Sequence, residues 1–310
     1  MNDSGIWPSL PLEAWRPTID TLQRWTQIVG KIRLSLTPWQ NHAWHAALYV
    51  TSDGLTTSPI AWDDRTFEIA FDFLRHEVGV RCSDGTGRRL ELRPRTVADF
   101  RRELFARLAE LGIRPKIFDR PNELLDDAPF SSDELHREYD ADAVHRFFLA
   151  LAEADGILKD FRSRFSGKSS PVHFFWGSFD LTVTRFSGRR APAHPGGFPH
   201  LPDRITREAY SHEEMSCGFW PGNDATPFPA FYAYAYPSLP AFASAPIAPP
   251  AASFRPEAGE FILPYDAVRT AADPRNAVLD FCQSAYEAAA GSLGWERDEL
   301  DAEFPPSGPR

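Results

Sequence analysis

The chain has 310 residues, a net charge of −10 at neutral pH, and 43% hydrophobic and 13% aromatic residues, including 24 Phe and 9 Trp. Such an apolar-rich chain buries a core rather than staying disordered, and its acidic balance disfavours a broad polyanion-binding surface, so nucleic acid is not an expected partner. Residues 1–7 carry neither the basic nor the apolar segment of a secretion signal. No run reaches the roughly 20 apolar residues that span a bilayer, so a cytoplasmic protein without a membrane partner is expected. Cys82, Cys217 and Cys282 are odd in number and widely spaced, which argues against a disulfide framework or a thiolate zinc site.

In chain order, Ile19, Leu22, Trp25, Ile28 and Val29 recur at helical spacing and predict a first amphipathic helix over 18–30. Strand patterns follow at 44–51, 66–75, 78–82 and 89–93, the last two separated by the turn residues 83–87. In the second of these, Phe67, Ile69, Phe71 and Phe73 alternate with Glu68, Ala70 and Asp72, as in a strand with one greasy face. A helix from Val97 to Leu111 is announced by Thr96 as N-cap and Gly112 as terminator. Val144, Phe147, Phe148, Leu151, Leu158 and Phe161 then mark another helix, followed by strand candidates at 173–189, 209–219, 231–236 and 260–263. The last helix has Asp273 as cap and Pro274 at its first position. The Pro-rich stretches 191–202 and 237–256 read as surface connections. The expectation is an α+β protein of antiparallel sheets with helices on one face, forming one globular unit over 1–310. Its two halves, 12–115 and 136–295, each run helix, strands, helix.

Strand alternation sorts the chemistry. From His173 onward, Phe175, Phe179, Leu181 and Val183 share one face, and Trp176, Ser178, Asp180, Thr182 and Thr184 the other. Tyr210, His212, Glu214 and Ser216 would share a second polar face, and Tyr232, Tyr234 and Tyr236 a third. His212 is a candidate general base or metal ligand, Glu213 or Glu214 its carboxylate partner, and Asp180 an orienting group or proton acceptor. His173, His212 and a carboxylate would suit a two-His, one-carboxylate divalent metal site, though they come from strands of unknown register. Trp176, Ser178, Arg185, Tyr210, Trp220 and Tyr234 are candidate substrate contacts, with Arg185 suited to an anionic group. The competing reading is a solvated polar face, with the aromatic rings merely covering the sheet. His42 and His45 are read as structural, and Lys168, Arg185, Arg189 and Arg190 as a solvated basic edge rather than an anion clamp.

Tempting motifs fail. Gly167-Lys168-Ser169 resembles the end of a phosphate loop, but Arg162 stands where the first glycine is needed. His212-Glu213-Glu214-Met215-Ser216 has Ser216 in place of the second zinc-protease histidine. No G-x-S-x-G or G-x-G-x-x-G occurs.

Several segments together resemble a large bacterial family of similar length, a domain of unknown function. They are Gln27–Lys31, Leu48–Thr51 with Gly54–Thr57, Phe71–Phe73, His173–Asp180 with Thr184–Gly188, Tyr210–Glu213 and Gly218–Gly222. The resemblance implies one globular cytoplasmic unit and brings no activity, cofactor or catalytic residue with it. The residues themselves lead to an enzyme acting on a small polar or anionic metabolite in an aromatic-lined pocket. Its catalytic set is His173, His212, Glu213 and Asp180, working by acid–base or metal-assisted chemistry. The alternative is a non-catalytic small-molecule or partner-binding protein.

Overall fold

A computed structural model describes residues 5–302. The first half opens with α1 (Leu12–Leu36), passes through a 3-10 segment (Asn41–Ala46), and builds an antiparallel sheet from β1 (Tyr49–Val50), β2 (Gly54–Thr56), β3 (Ile60–Trp62), β4 (Arg65–Asp72), β5 (Glu77–Cys82) and β6 (Gly87–Glu91) before α2 (Val97–Glu110). The second half starts with α3 (Ala141–Ser163). Its sheet consists of β7 (His173–Phe175), β8 (Asp180–Arg190), β9 (His212–Trp220), β10 (Ala230–Tyr236), β11 (Ser253–Arg255) and β12 (Glu260–Pro264), in the order β11-β12-β10-β9-β8-β7. Helices α4 (Asp203–Ala209) and α5 (Pro240–Ala243) lie in its connections, and α6 (Tyr265–Arg269), α7 (Pro274–Leu293) and α8 (Arg297–Leu300) follow. The α+β class read from the sequence is the observed one.

The two sheets meet edge to edge. Leu48 and Phe174 exchange backbone hydrogen bonds of 2.9 Å in both directions, so β7 abuts the strand that begins at β1. Helices α3 and α7 cover one face of the second sheet, where Leu181, Val183, Cys217, Phe219, Phe231, Ala233 and Leu263 are buried. This leaves the opposite face, bearing the polar partners of those residues, free to floor a cavity.

The expected caps form: Thr96 accepts from the Asp99 N–H, and Asp273 accepts from the Asn276 N–H ahead of Pro274. The alternation of β4 is also as read, with Phe67, Ile69 and Phe71 buried. Helix α1 differs from the amphipathic expectation, because every residue from Thr21 to Arg33 is buried. Its polar stripe faces loops instead of water. The predicted strand at 44–51 begins inside the 3-10 segment Asn41–Ala46, whose His42 and Ala43 adopt φ of 58° and 57°, and only residues 49 and 50 are strand. The run from His173 is two strands, not one. Residues 176–179 turn back with Phe179 at φ 61°, pairing Phe175 with Asp180 and His173 with Thr182. Finally, β9 begins at His212, so Tyr210 is the C-cap residue of α4 rather than a strand residue.

Candidate functional site

A cavity of about 1420 Å³ lies on the uncovered face of the second sheet. Antiparallel register sets its floor, since directly paired residues share a face. One row contains Thr182, Gly218 and Tyr232, the next Thr184, Ser216 and Tyr234, and the next Phe186, Glu214 and Tyr236. Asp180 lies one row before the first of these, at the start of β8. The roof comes from the loop of residues 118–127, the loop leading into α4, and the 41–46 segment.

Helix α1 fastens this roof with residues spaced four apart. Gln23 donates to the Gly177 carbonyl at 2.7 Å. Gln27 donates to the Asn122 carbonyl at 2.9 Å and accepts from the Asn122 N–H at 2.8 Å. Lys31 donates to the Asn122 side chain. The Lys31 ammonium also sits 5.3 Å from the Trp176 ring and 5.5 Å from the Phe118 ring. Burial pulls its pKa down to about 8, against the opposing attraction of Glu123. Across the cavity, Trp176 donates its indole N–H to the Ala46 carbonyl at 2.7 Å, and the Glu123 N–H bonds the Pro199 carbonyl at 2.9 Å.

Asp180 is the most firmly held acid. Ser178 donates to one carboxylate oxygen and the Tyr232 hydroxyl to the other. Tyr232 reaches β8 from β10 by crossing over Gly218 of β9, where a Cβ would collide with the phenol ring. Glycine is therefore what lets this bond form. Burial raises the Asp180 pKa despite these bonds. Glu123 hangs from the roof against Gly177, where a Cβ would likewise collide with its carboxylate. Burial, then repulsion from Asp180, lift Glu123 to about 7, and the same two causes lift Glu260 of β12 to about 7. Glu214 is 4% exposed, lines the cavity, and takes no hydrogen bond or ion pair among the described residues. Burial raises its pKa well above the carboxylate range, with Lys168 as the opposing charge.

Beside Glu214, a hydroxyl chain runs from Tyr210 to Tyr234 at 3.2 Å, and Thr184 bonds Ser216 at 2.7 Å. His42 closes this end. Its Nδ1 lies 2.8 Å from the Ala209 carbonyl and so carries the proton, leaving Nε2 to accept from the Lys168 ammonium at 2.6 Å. Its ring lies tilted against Phe186, 4.6 Å between centroids, and burial lowers its pKa.

Of the residues singled out from sequence, Trp176, Ser178, Asp180, Tyr210, Trp220 and Tyr234 all line this cavity. Four others do not. His173 is 1% exposed, packed against Trp44, Tyr49 and Phe175, and burial lowers its pKa to about 3. His212 sits at the start of β9, its ring 5.6 Å from that of His42. His173 pairs with Thr182 and His212 with Arg190, toward opposite ends of β8, and the rings of Trp44 and His42 stand between theirs, so the two are not neighbours. Among the described residues no group of three or more His, Cys, Asp or Glu side chains is placed to hold a metal ion. Glu213 points to the opposite side from Glu214 and accepts from Arg189 at 2.8 Å and Ser187 at 2.9 Å.

Arg185 falls on the helix-covered face. It is fully buried, with its guanidinium 3.5 Å from the Phe161 ring and 4.5 Å from that of Tyr286. Burial lowers its pKa to about 10. The sequence reading missed Lys31, His42, Glu123 and Glu260 as cavity residues. A signal existed for the first: Gln23, Gln27 and Lys31 recur every fourth residue and form a polar stripe beside the apolar one of Leu22, Trp25 and Val29. Glu123 and Glu260 carried none, because a loop and a short strand impose no readable period.

Fold and site together define an α+β protein built around an open cavity walled by tyrosines, tryptophans and buried carboxylates. The chain belongs to the family of unknown function DUF5996, whose family model matches residues 7–302. No curated protein and no solved structure matches it. Among the described residues no helix is long and apolar enough to cross a membrane.

Proposed function

We propose that the cavity is the active site of an enzyme acting on a small polar metabolite by carboxylate acid–base chemistry. The observation that carries this reading is the convergence of Glu123, Asp180, Glu214 and Glu260, from four separate segments, on one aromatic-walled cavity. Structural carboxylates are normally solvated or paired, and burying several in one hollow is costly without a use for them. Asp180, clamped by Ser178 and Tyr232, is the fixed acceptor that orients a substrate hydroxyl or amine. Glu123 and Glu260, poised near neutrality, give and take protons. The acid-rich floor disfavours the anionic substrates that Arg185 suggested, since that arginine lies beneath the sheet.

The test is incubation of purified protein with a defined mixture of neutral and cationic metabolites, followed by mass spectrometry. Consumption of one compound with appearance of a product, lost in Asp180→Asn while its thermal midpoint stays near wild type, supports the enzyme. Retention of an unmodified compound identifies a binding protein instead. If neither occurs, the cavity is not a small-molecule site.

A further inference from the structure

The three acids on the floor do not crowd one point. Successive cavity-facing positions along a strand are about 6.6 Å apart. Asp180 lies three such rows from the row of Phe186 and Glu214, a run of about 20 Å between backbone positions, which the side chains reaching over the floor shorten. Glu260 lies one position beyond the Ala233–Phe261 pair and so falls in the row of Tyr234, between these ends. Among the described residues the cations near the cavity form no ion pair with this row, although Lys168 opposes the charge of Glu214. Lys31 is tied to Asn122 under the roof, Arg120 pairs with Asp127 at 3.0 Å, and Arg204 is exposed at the rim. Lys168 donates to His42.

Glu214 is the decisive member: more than nine-tenths buried, aimed into the cavity, and with no hydrogen-bond donor to its carboxylate among the described residues. Between the acids the floor presents ring surface from Tyr232 and Tyr234, stacked 6.2 Å apart, with Trp220 5.7 Å from Tyr232. Carboxylates spaced along an aromatic floor match an extended chain of ammonium groups separated by methylenes. The carboxylates supply acceptors, and the rings supply cation–π and apolar contact.

We infer that the ligand of this cavity is a linear organic polycation of the polyamine class, with one ammonium group seated on Glu214 and another toward Asp180. This rests on the cavity being a small-molecule site. Burial raises the pKa of Glu214, Asp180 and Glu260, so seating ammonium groups beside them favours their ionised forms and releases protons to the solvent.

The test is calorimetric titration of the full chain with spermidine, 1,4-diaminobutane, butylamine and 1,4-butanediol at pH 7 in two buffers of different ionisation enthalpy. The expected order is spermidine tightest, then 1,4-diaminobutane, with butylamine at least tenfold weaker than spermidine. The heat should depend on the buffer as proton release requires. Glu214→Gln should weaken spermidine at least tenfold, whereas charge screening by an acidic surface would be unchanged by it. Equal affinity for butylamine, unchanged binding in Glu214→Gln, or no binding of spermidine overturns the inference. Preferred binding of 1,4-butanediol would overturn it while leaving the cavity a small-molecule site. Turnover of an uncharged metabolite in the mixture assay would do the same and leave the enzyme reading standing.

Discussion

Gly30, Gly177 and Gly218 each stand where a side chain of the site must pass: Trp176 over the first, Glu123 over the second, Tyr232 over the third. A methyl group at Gly218 forces Tyr232 off its path to Asp180. Gly218→Ala is therefore expected to cost about 1–3 kcal/mol by overpacking, read by urea denaturation, and to raise the Asp180 pKa further by removing a donor to its carboxylate. Arg185 gives the opposite expectation. Among the described residues its guanidinium donates only to the Phe161 carbonyl, and Nε and Nη1 have no partner. The desolvation cost of such a charge rivals what its ring contacts return, so Arg185→Met should leave stability within about 1 kcal/mol of wild type or raise it. A loss of several kcal/mol in the same denaturation measurement would show that the ring cage outweighs the burial cost.

Among the elements, α1 governs the assembly. Because it is enclosed from Thr21 to Arg33, each of its polar side chains needs an internal partner: Thr21 and Thr26 turn back onto carbonyls of the helix itself, whereas Gln23, Gln27, Lys31 and Arg33 hold loops. Arg24 is the clearest case. Its Nε lies 3.3 Å from Asp133, which also accepts from His136 Nδ1 at 2.9 Å and from the Leu135 and His136 N–H groups at 3.1 Å. Asp133→Ala would take from the buried guanidinium one of its two carboxylate neighbours, leaving Asp126 at 3.4 Å, and is expected to cost about 1–3 kcal/mol, measured as a lowered denaturation midpoint. Asp133→Asn, which keeps an acceptor, should lose less.

This helix also shows what the sequence made legible. The spacing of Leu22, Trp25 and Val29 announced a helix, since apolar periodicity is local. It could not announce that loops would bury the remaining faces. The same limit explains the strands: alternation placed Asp180, Thr182 and Thr184 on one face of β8 and Tyr232 and Tyr234 on one face of β10, as observed. The four-residue turn at 176–179 does contain the turn residues Gly177 and Ser178, but the aromatic Trp176 and Phe179 on either side of them fit a continuous strand and masked it. The link between His173 and His212 failed for want of register, which only strand pairing supplies. Half the cavity floor was thus readable, whereas the roof, built from Asn122, Glu123 and His200, was not.

For the whole molecule the buried acids set a pH dependence. Glu260 has a folded-state pKa of about 7 against an ordinary value of 4.5. The folded state therefore binds more protons than the unfolded state between those values, and stability falls as pH rises through that window. Other groups titrate oppositely, His173 among them, whose depressed value makes stability rise between about 3 and 6.5. The comparison that isolates the acid is wild type against Glu260→Gln. The variant's relative stability should increase from pH 5 to pH 8 and level off above. A difference that stays constant across this range would mean that Glu260 titrates as an ordinary surface acid.

The division of the cavity between a floor of paired strands and a roof of connecting loops has an evolutionary consequence. Floor residues are locked into register, so a length change there would flip every neighbour to the opposite face. The roof segments near residues 118–127 and 198–202 carry no such constraint, since loops accept insertions at small thermodynamic cost. Relatives of this chain can accordingly diversify what they accept by remodelling two linkers, inheriting the foundation unaltered.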